Sequence, residues 1–262
     1  CGHPALHLPE TVTSVTRQKE DIAMTTNGRI HPVTQPARPI RVGAVNYLNT
    51  KPLIHDLEQL APEAVDYAQE SAETLAMYGI DGSRTSDFGR KCLLARRLVQ
   101  RGVRFVQLYC GTNLGDDWDD AHNDLLGSHT KMCKKSDQPI AALLKDLKAQ
   151  GLLDSTLVVW SSEFGRTPLA EGKNGRDHHP YGFSTWMAGA GIQGGRALGA
   201  TDEFGLRAVD KRKDVHDMNA SILRLLGMDH TKLTYRYQSR DQRLTDVHGE
   251  GEFTDWLLNN KA

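Results

Sequence analysis

The chain has 262 residues, 39% hydrophobic and 25% charged, with a formal net charge of −1. That length suffices for one large α/β domain or two smaller ones with a real core, and the near-neutral charge gives no electrostatic case for nucleic acid or an anionic membrane as the main partner. No apolar run approaches the roughly 18–20 residues that span a bilayer, the N-terminus lacks the basic-then-apolar layout of a signal peptide, and Cys1, Cys92, Cys110 and Cys133 form no CxxC pair.

Residues 1–38 are rich in Thr, Pro, His and Gln without periodicity and read as a disordered leader. Residues 39–63 change character, with a short strand over 40–45, a turn over 46–51, and a helix starting at Pro52. The run RVGAVNYLNTKPL (41–53) resembles the opening of chorismate dehydratase, the periplasmic-binding-protein-like enzyme of the futalosine route to menaquinone. That resemblance covers about two dozen residues, a strand–helix fragment of an enzyme built from two lobes. Beyond it the pattern predicts helices over 65–78 and 87–101, stopped by Gly79 and Gly102. In the second, Phe88, Cys92, Ala95 and Val99 share the apolar face while Lys91, Arg96, Arg97 and Gln100 lie mostly outward. VRFVQLY (103–109) reads as a buried strand.

The loop expected at 111–129 gathers aspartates around Trp118 and then His122. A carboxylate and an imidazole so close can chelate one divalent cation, so Asp119 or Asp120 with His122 is a candidate ligand pair. The competing reading makes the aspartate a helix N-cap and the histidine a surface residue. His129 follows by seven residues, about 10 Å along a continuous helix and too far to share one ion. Residues 138–150 predict an amphipathic helix with Ile140, Leu143, Leu144 and Leu147 inward and Gly151 as its stop. The apolar run 156–160 then predicts a buried strand leading into a Gly/Pro-punctuated loop that carries Glu163, Arg166, Arg176, Asp177, His178 and His179. This loop is the leading candidate for a site. Helix, short link, strand and polar loop in that order predict an α/β fold with a mostly parallel sheet flanked by helices.

STWMAG (184–189) reads as a further strand, and the glycines after it do not make a dinucleotide-binding GxGxxG. A helix over 214–226 is expected, with Asp214 as N-cap and Asp217 at the capping-box position. His216 in its first turn either faces the pocket or covers the cap. The arginine-rich tail 234–246 reads as a turn-like extension pairing with Asp241 and Asp246.

The motifs FGRKCLLARRLVQRGVRFVQLY (88–109), WDDAH (118–122), DQPIAALLKDLKAQGLLDSTLVVWSSEFGRTP (137–168), GRDHHPYGFSTWMAGAGIQGG (175–195) and VHDMNASILRLLGMDHTKLTYRYQSRDQRLTDV (215–247) resemble the C-terminal half of a bacterial family of sulfatase-like proteins, domain of unknown function 1501. The resemblance implies a partial alkaline-phosphatase-like fold and a metal-dependent hydrolase of phosphate or sulfate esters, with divalent ions (Zn, Mn or Ca) as cofactors and a small anionic ester as substrate. Members of such families are typically exported. Carried over, Glu163 stands where relatives have the Asp of an Asp-His metal pair, with Phe164 where the histidine would be. Asp120 and His122 resemble the other pair, and His178 or His179 supplies an imidazole, one of the two because neighbours in an extended loop point to opposite sides. Arg166 and Arg176 would hold the anion by bidentate hydrogen bonds, with Asp119, Asp177 and His216 in the possible pocket. The half that would bring the nucleophile is replaced by residues 1–63, so the expectation is a chimeric or truncated chain with a leader (1–38), a chorismate-dehydratase-like fragment (39–63) and a hydrolase-like part (64–262) of little activity. The other readings are a non-catalytic binding or structural module and a chorismate dehydratase.

Overall fold

The computed structural model describes residues 66–80, 85–111 and 117–259. The expected leader 1–38 and the fragment 39–63 lie outside the described residues. The predicted helix over 65–78 is two pieces, a 3-10 turn Tyr67–Gln69 and helix α1, Ala72–Met77. Two side-chain caps divide it, because Asp66 accepts from the Ala68 N–H and Ser71 accepts from the Thr74 N–H. Helix α2, Ser86–Gln100, follows, then residues 103–110, which form no named strand. There Val106, Leu108 and Cys110 are half-buried while Val103, Phe105 and Tyr109 are exposed. The alternation belongs to a half-buried segment, where the sequence predicted a buried strand.

Helix α3 spans Leu125–Ala149, starting 13 residues before the predicted Gln138. It runs through Pro139, whose missing N–H removes one backbone bond. One turn earlier the Ser136 hydroxyl donates to the Met132 carbonyl at 3.0 Å. Helices α2 and α3 enclose the first core cluster: Tyr78, Phe88, Cys92, Leu93 and Ala142, with Leu108 and Cys110 packed against it.

Arg96 and Arg97 are 4% and 3% exposed, not outward as the helical pattern suggested. Arg96 donates through Nε to Asp146 of α3 at 2.7 Å and pairs with Glu70 at 2.7 Å, while Arg97 pairs with the other Glu70 oxygen. The Tyr78 hydroxyl donates to the same Asp146 oxygen at 2.9 Å. Burial, and then Asp146, push the Tyr78 phenol well above its ordinary range, so it remains a donor.

Beyond a 3-10 turn, Leu153–Ser155, strand β1 (Leu157–Trp160) pairs antiparallel with β4 (Trp186–Gly189), Leu157 opposite Gly189 and Trp160 opposite Trp186. Between them lie β2 (Gly165–Arg166) and β3 (His178–His179), again antiparallel. Further on are β5 (Ala200–Thr201) with β6 (Ala208–Asp210), and β7 (Thr234–Tyr237) with β8 (Arg240–Arg243). The tail predicted to be turn-like is thus a hairpin, closed by the Arg236–Asp241 pair at 3.0 Å. All strand pairings among the described residues are antiparallel, and the parallel contact there is the isolated bridge Asp124–Asn174. Helix α4, Val215–Leu225, carries the predicted capping box of Asp214 and Asp217, and the short α5 is Thr254–Leu257. Leu157, Ala190, Leu225 and Leu257 make the second core cluster. No helix of the described residues is long and apolar enough to cross a membrane.

Candidate metal centre

The site assembles where a short helix, a two-stranded ribbon and a tight loop meet. WDDAH forms a 3-10 helix, Trp118–His122, and Asp117 caps it by accepting from the Asp119 and Asp120 N–H groups at 2.9 and 3.3 Å. A 3-10 helix has three residues per turn, so side chains at i and i+3 eclipse. Asp119 and His122 therefore project together, with Asp119 Oδ1 3.5 Å from His122 Nε2. Asp120 is the next residue round, and its carbonyl accepts from Asn123 and Asp124.

The β2–β3 register places Arg166 opposite His178 and Gly165 opposite His179, and cross-strand partners share a face. Arg166 and His178 both reach Asp119 Oδ1, each at 2.8 Å. His178 Nε2 also lies 2.9 Å from His122 Nε2. His179, on the opposite face, is buried and donates through Nε2 to the Leu206 carbonyl at 2.9 Å. Of the two adjacent histidines, His178 alone enters the cluster. Phe164 stacks on the His178 ring at 3.9 Å between centroids.

Residues 171–177 close the far side. Glu171 and Gly175 exchange backbone hydrogen bonds, and the loop is stitched to the helix by Arg176 N–H to the Ala121 carbonyl at 2.9 Å and Leu125 N–H to the Asn174 carbonyl at 3.1 Å. Glu171 Oε2 lies 2.6 Å from His122 Nδ1. Asp177 belongs to a second grouping of possible ligands with His122 and Glu171. Its carboxylate accepts from the His178 N–H at 2.6 Å. Three carboxylates and two imidazoles thus gather around one contacting arginine, an environment that favours a cation.

Hydrogen bonds to the Asp119 carboxyl, from His178 and then Arg166, hold it well below its ordinary range, at about 2. Arg166 is committed to Asp119 and to the Trp118 and Arg176 carbonyls at 3.1 and 3.3 Å. The anion-holding role expected of it would require leaving all three. The half-buried Arg176 donates to the Gly175 carbonyl at 2.7 Å. His129, on α3, meets Trp118 edge-on at 5.3 Å, and burial, then Arg166, push its imidazole pKa down. Glu163 is exposed on the turn after β1 and makes no hydrogen bond or ion pair among the described residues. His216 lies apart, 3.6 Å from Asp214 and ring-to-ring with His248 at 4.8 Å.

Asp119, His122 and His178 fit one divalent ion. A tetrahedral ion with ligands about 2.0–2.1 Å away separates them by about 3.3 Å, and an octahedral one by about 3.0 Å. The three ligand-atom separations of 2.8, 2.9 and 3.5 Å straddle those values. Glu171 is the member of the site that sequence reasoning missed. The Asn174-Gly175 turn signal pointed to a tight loop there, which is what folds Glu171 back onto His122.

The sequence profile of a family described as "Protein of unknown function (DUF1501)" matches residues 4–252, a span that includes the whole site and residues 39–63. No curated protein and no solved structure matches the chain.

Proposed function

The chain belongs to the DUF1501 family, and on that premise we propose that Asp119, His122 and His178 hold one divalent ion in a site derived from a sulfatase- or alkaline-phosphatase-like hydrolase of small phosphate or sulfate esters. The observation that carries this reading is the convergence of Asp119 Oδ1, His122 Nε2 and His178 Nε2 within 3.5 Å of one another. Two imidazoles in the donor set favour zinc over manganese and calcium, which suit oxygen ligands.

When bound, such an ion supplies a Lewis acid toward the oxygens of an ester. The chain's own residues do the rest. With an ion in place, His122 and His178 would turn their Nε2 lone pairs to it, the His178 proton that bonds Asp119 in the metal-free chain being given up. Asp119 would bring a carboxylate whose pKa the hydrogen bonds of the metal-free site, from His178 and then Arg166, hold low. Arg166 keeps that carboxylate facing the histidines. Phe164 stacks on one face of the His178 ring. Arg176 is the nearer choice for an anionic substrate, since Arg166 is committed elsewhere. No described side chain is assigned as nucleophile, so turnover of generic esters is expected to be small.

A second reading rests on one observation: the cluster satisfies itself. Glu171, His122, His178, Asp119 and Arg166 form a continuous hydrogen-bonded chain, as a non-catalytic binding or structural module would. Elemental analysis of the purified protein separates the two. About one zinc or manganese per chain, lost in His122→Ala and His178→Ala, supports the metal centre. A metal-free protein that takes up none on addition supports the module.

A further inference from the structure

The two nitrogens of His122 have different partners. Nε2 faces Asp119 and His178, and Nδ1 faces Glu171 Oε2 at 2.6 Å. An ionised carboxylate can only accept, so the neutral tautomer that fits this contact carries its proton on Nδ1 and turns the Nε2 lone pair toward the other two ligands. We propose that Glu171 is the positioning residue of this centre: it fixes the tautomer and the ring orientation of His122, and so sets the affinity for the ion. The inference rests on the metal-centre reading and deepens it.

Three observations make Glu171 more than a surface acid that happens to lie nearby. Its own backbone is closed by two hydrogen bonds with Gly175, at 2.9 and 3.0 Å. The loop is pinned on both sides of His122, by Arg176 to the Ala121 carbonyl and by Asn174 to the Leu125 N–H. A Cβ on Gly175 would collide with the His122 carbonyl oxygen, so the loop backbone lies directly on the residue whose ring Glu171 holds. Asp177 shares the second ligand grouping with His122 and Glu171. The tautomer that serves an ion at Nε2 puts the proton on Nδ1, and in that tautomer the carboxylates of this grouping orient the ring instead of binding an ion. Carboxylates that bond the far nitrogen of a ligating histidine raise its basicity, and their loss costs about 10–100-fold in metal affinity.

The test uses the full chain and two readouts. Long-range proton–nitrogen spectra of metal-free protein labelled at histidine report the His122 tautomer, and competition with a chromophoric chelator reports zinc affinity. Wild type is expected to show His122 protonated at Nδ1. Glu171→Ala should lose that preference and bind zinc about 10–100-fold more weakly, with an unchanged circular-dichroism spectrum. Glu171→Gln, whose amide oxygen still accepts from Nδ1, should stay within about tenfold of wild type. The proposal is overturned if Glu171→Ala keeps both the tautomer and the affinity. It is also overturned if wild type binds two ions and Glu171→Ala loses one, which would make Glu171 a ligand. A wild type that binds no zinc but shows a Glu171-dependent His122 tautomer sinks the metal centre and leaves the positioning role standing.

Discussion

Gly175 is pressed against the His122 carbonyl so closely that the position has no room for a side chain. The obstructing atom is backbone, which cannot swing aside as a side-chain tip can. Gly175→Ala should therefore cost about 1–3 kcal/mol, the usual toll of overpacking, and weaken metal binding through the displaced His122. Urea denaturation and the chelator competition would read the two effects. His129 offers a pH prediction. Burial, then Arg166, hold its pKa below the ordinary 6.5, so in that interval the unfolded chain binds a proton the folded chain resists. The resulting stability is fully present above 6.5 and is lost as pH falls below it. His129→Phe keeps the edge-on aromatic contact with Trp118, and its denaturation midpoint should fall less steeply between pH 7 and 5 than that of wild type. At this scale the sequence named residue types that the fold brings together and left the choice among neighbours open. Asp119 rather than Asp120 follows from the 3-10 period, and the cap that competed for them falls to Asp117. His178 rather than His179 follows from strand alternation. Glu171 was not legible, because its relation to His122 runs across 49 residues and exists only once the loop folds back.

Helices α2 and α3 are joined by more than their apolar stripes. Asp146, buried at 6% exposure, takes hydrogen bonds from both Arg96 and Tyr78, and Arg96 passes on to Glu70 beside α1. Burial works against the Arg96 charge, but Asp146 and Glu70 outweigh it and raise its pKa. Removing one member of such a buried set strands a charge away from water, which costs about 3–5 kcal/mol. Asp146→Ala should lose that much in urea denaturation. Asp146→Asn, which still accepts from Tyr78, should lose less. If Asp146→Ala cost under about 1 kcal/mol, the network would contribute no more than an exposed ion pair does. Helical periodicity located α2 and its apolar face, yet assigned Arg96 and Arg97 to solvent. Period alone cannot tell a wet face from one whose charges meet partners on neighbouring elements. The early start of α3 was hidden for a related reason. Pro139 looks like a first-turn residue, and Gly127 and Ser128 look like a loop, but 25 residues of tertiary context carry the helix through all three.

Across the whole molecule, the described core is two clusters, one between α2 and α3 and one under β1, β4, α4 and α5. Alternation of helix and strand suggested a parallel sheet, but parallel neighbours need a crossover, usually helical. No helix lies between β1 and β4. The intervening residues form the β2–β3 ribbon and its loop, so the second strand returns beside the first in the opposite sense. That return is also what builds the site, since it brings His178 back toward a helix whose last residue, His122, lies 56 residues earlier in the chain. The three proposed ligands belong to two segments separated by a long loop, a geometry the unfolded chain does not keep. An ion held by Asp119, His122 and His178 binds the native state and stabilises it by mass action, by about 2.7 kcal/mol at one hundred times its Kd. For a domain of this size that corresponds to a rise in Tm of about 5–10 °C. Thermal scans should show this rise with zinc, its reversal by a chelator, and its absence in His178→Ala. Manganese serves as the control for zinc captured by histidines and cysteines of the unfolded chain, since it binds such groups more weakly. A zinc-dependent rise of equal size in wild type and His178→Ala would mean that the ion sits elsewhere. The convergence at Asp119 would then be a hydrogen-bonded junction that holds the returning ribbon against the 3-10 helix.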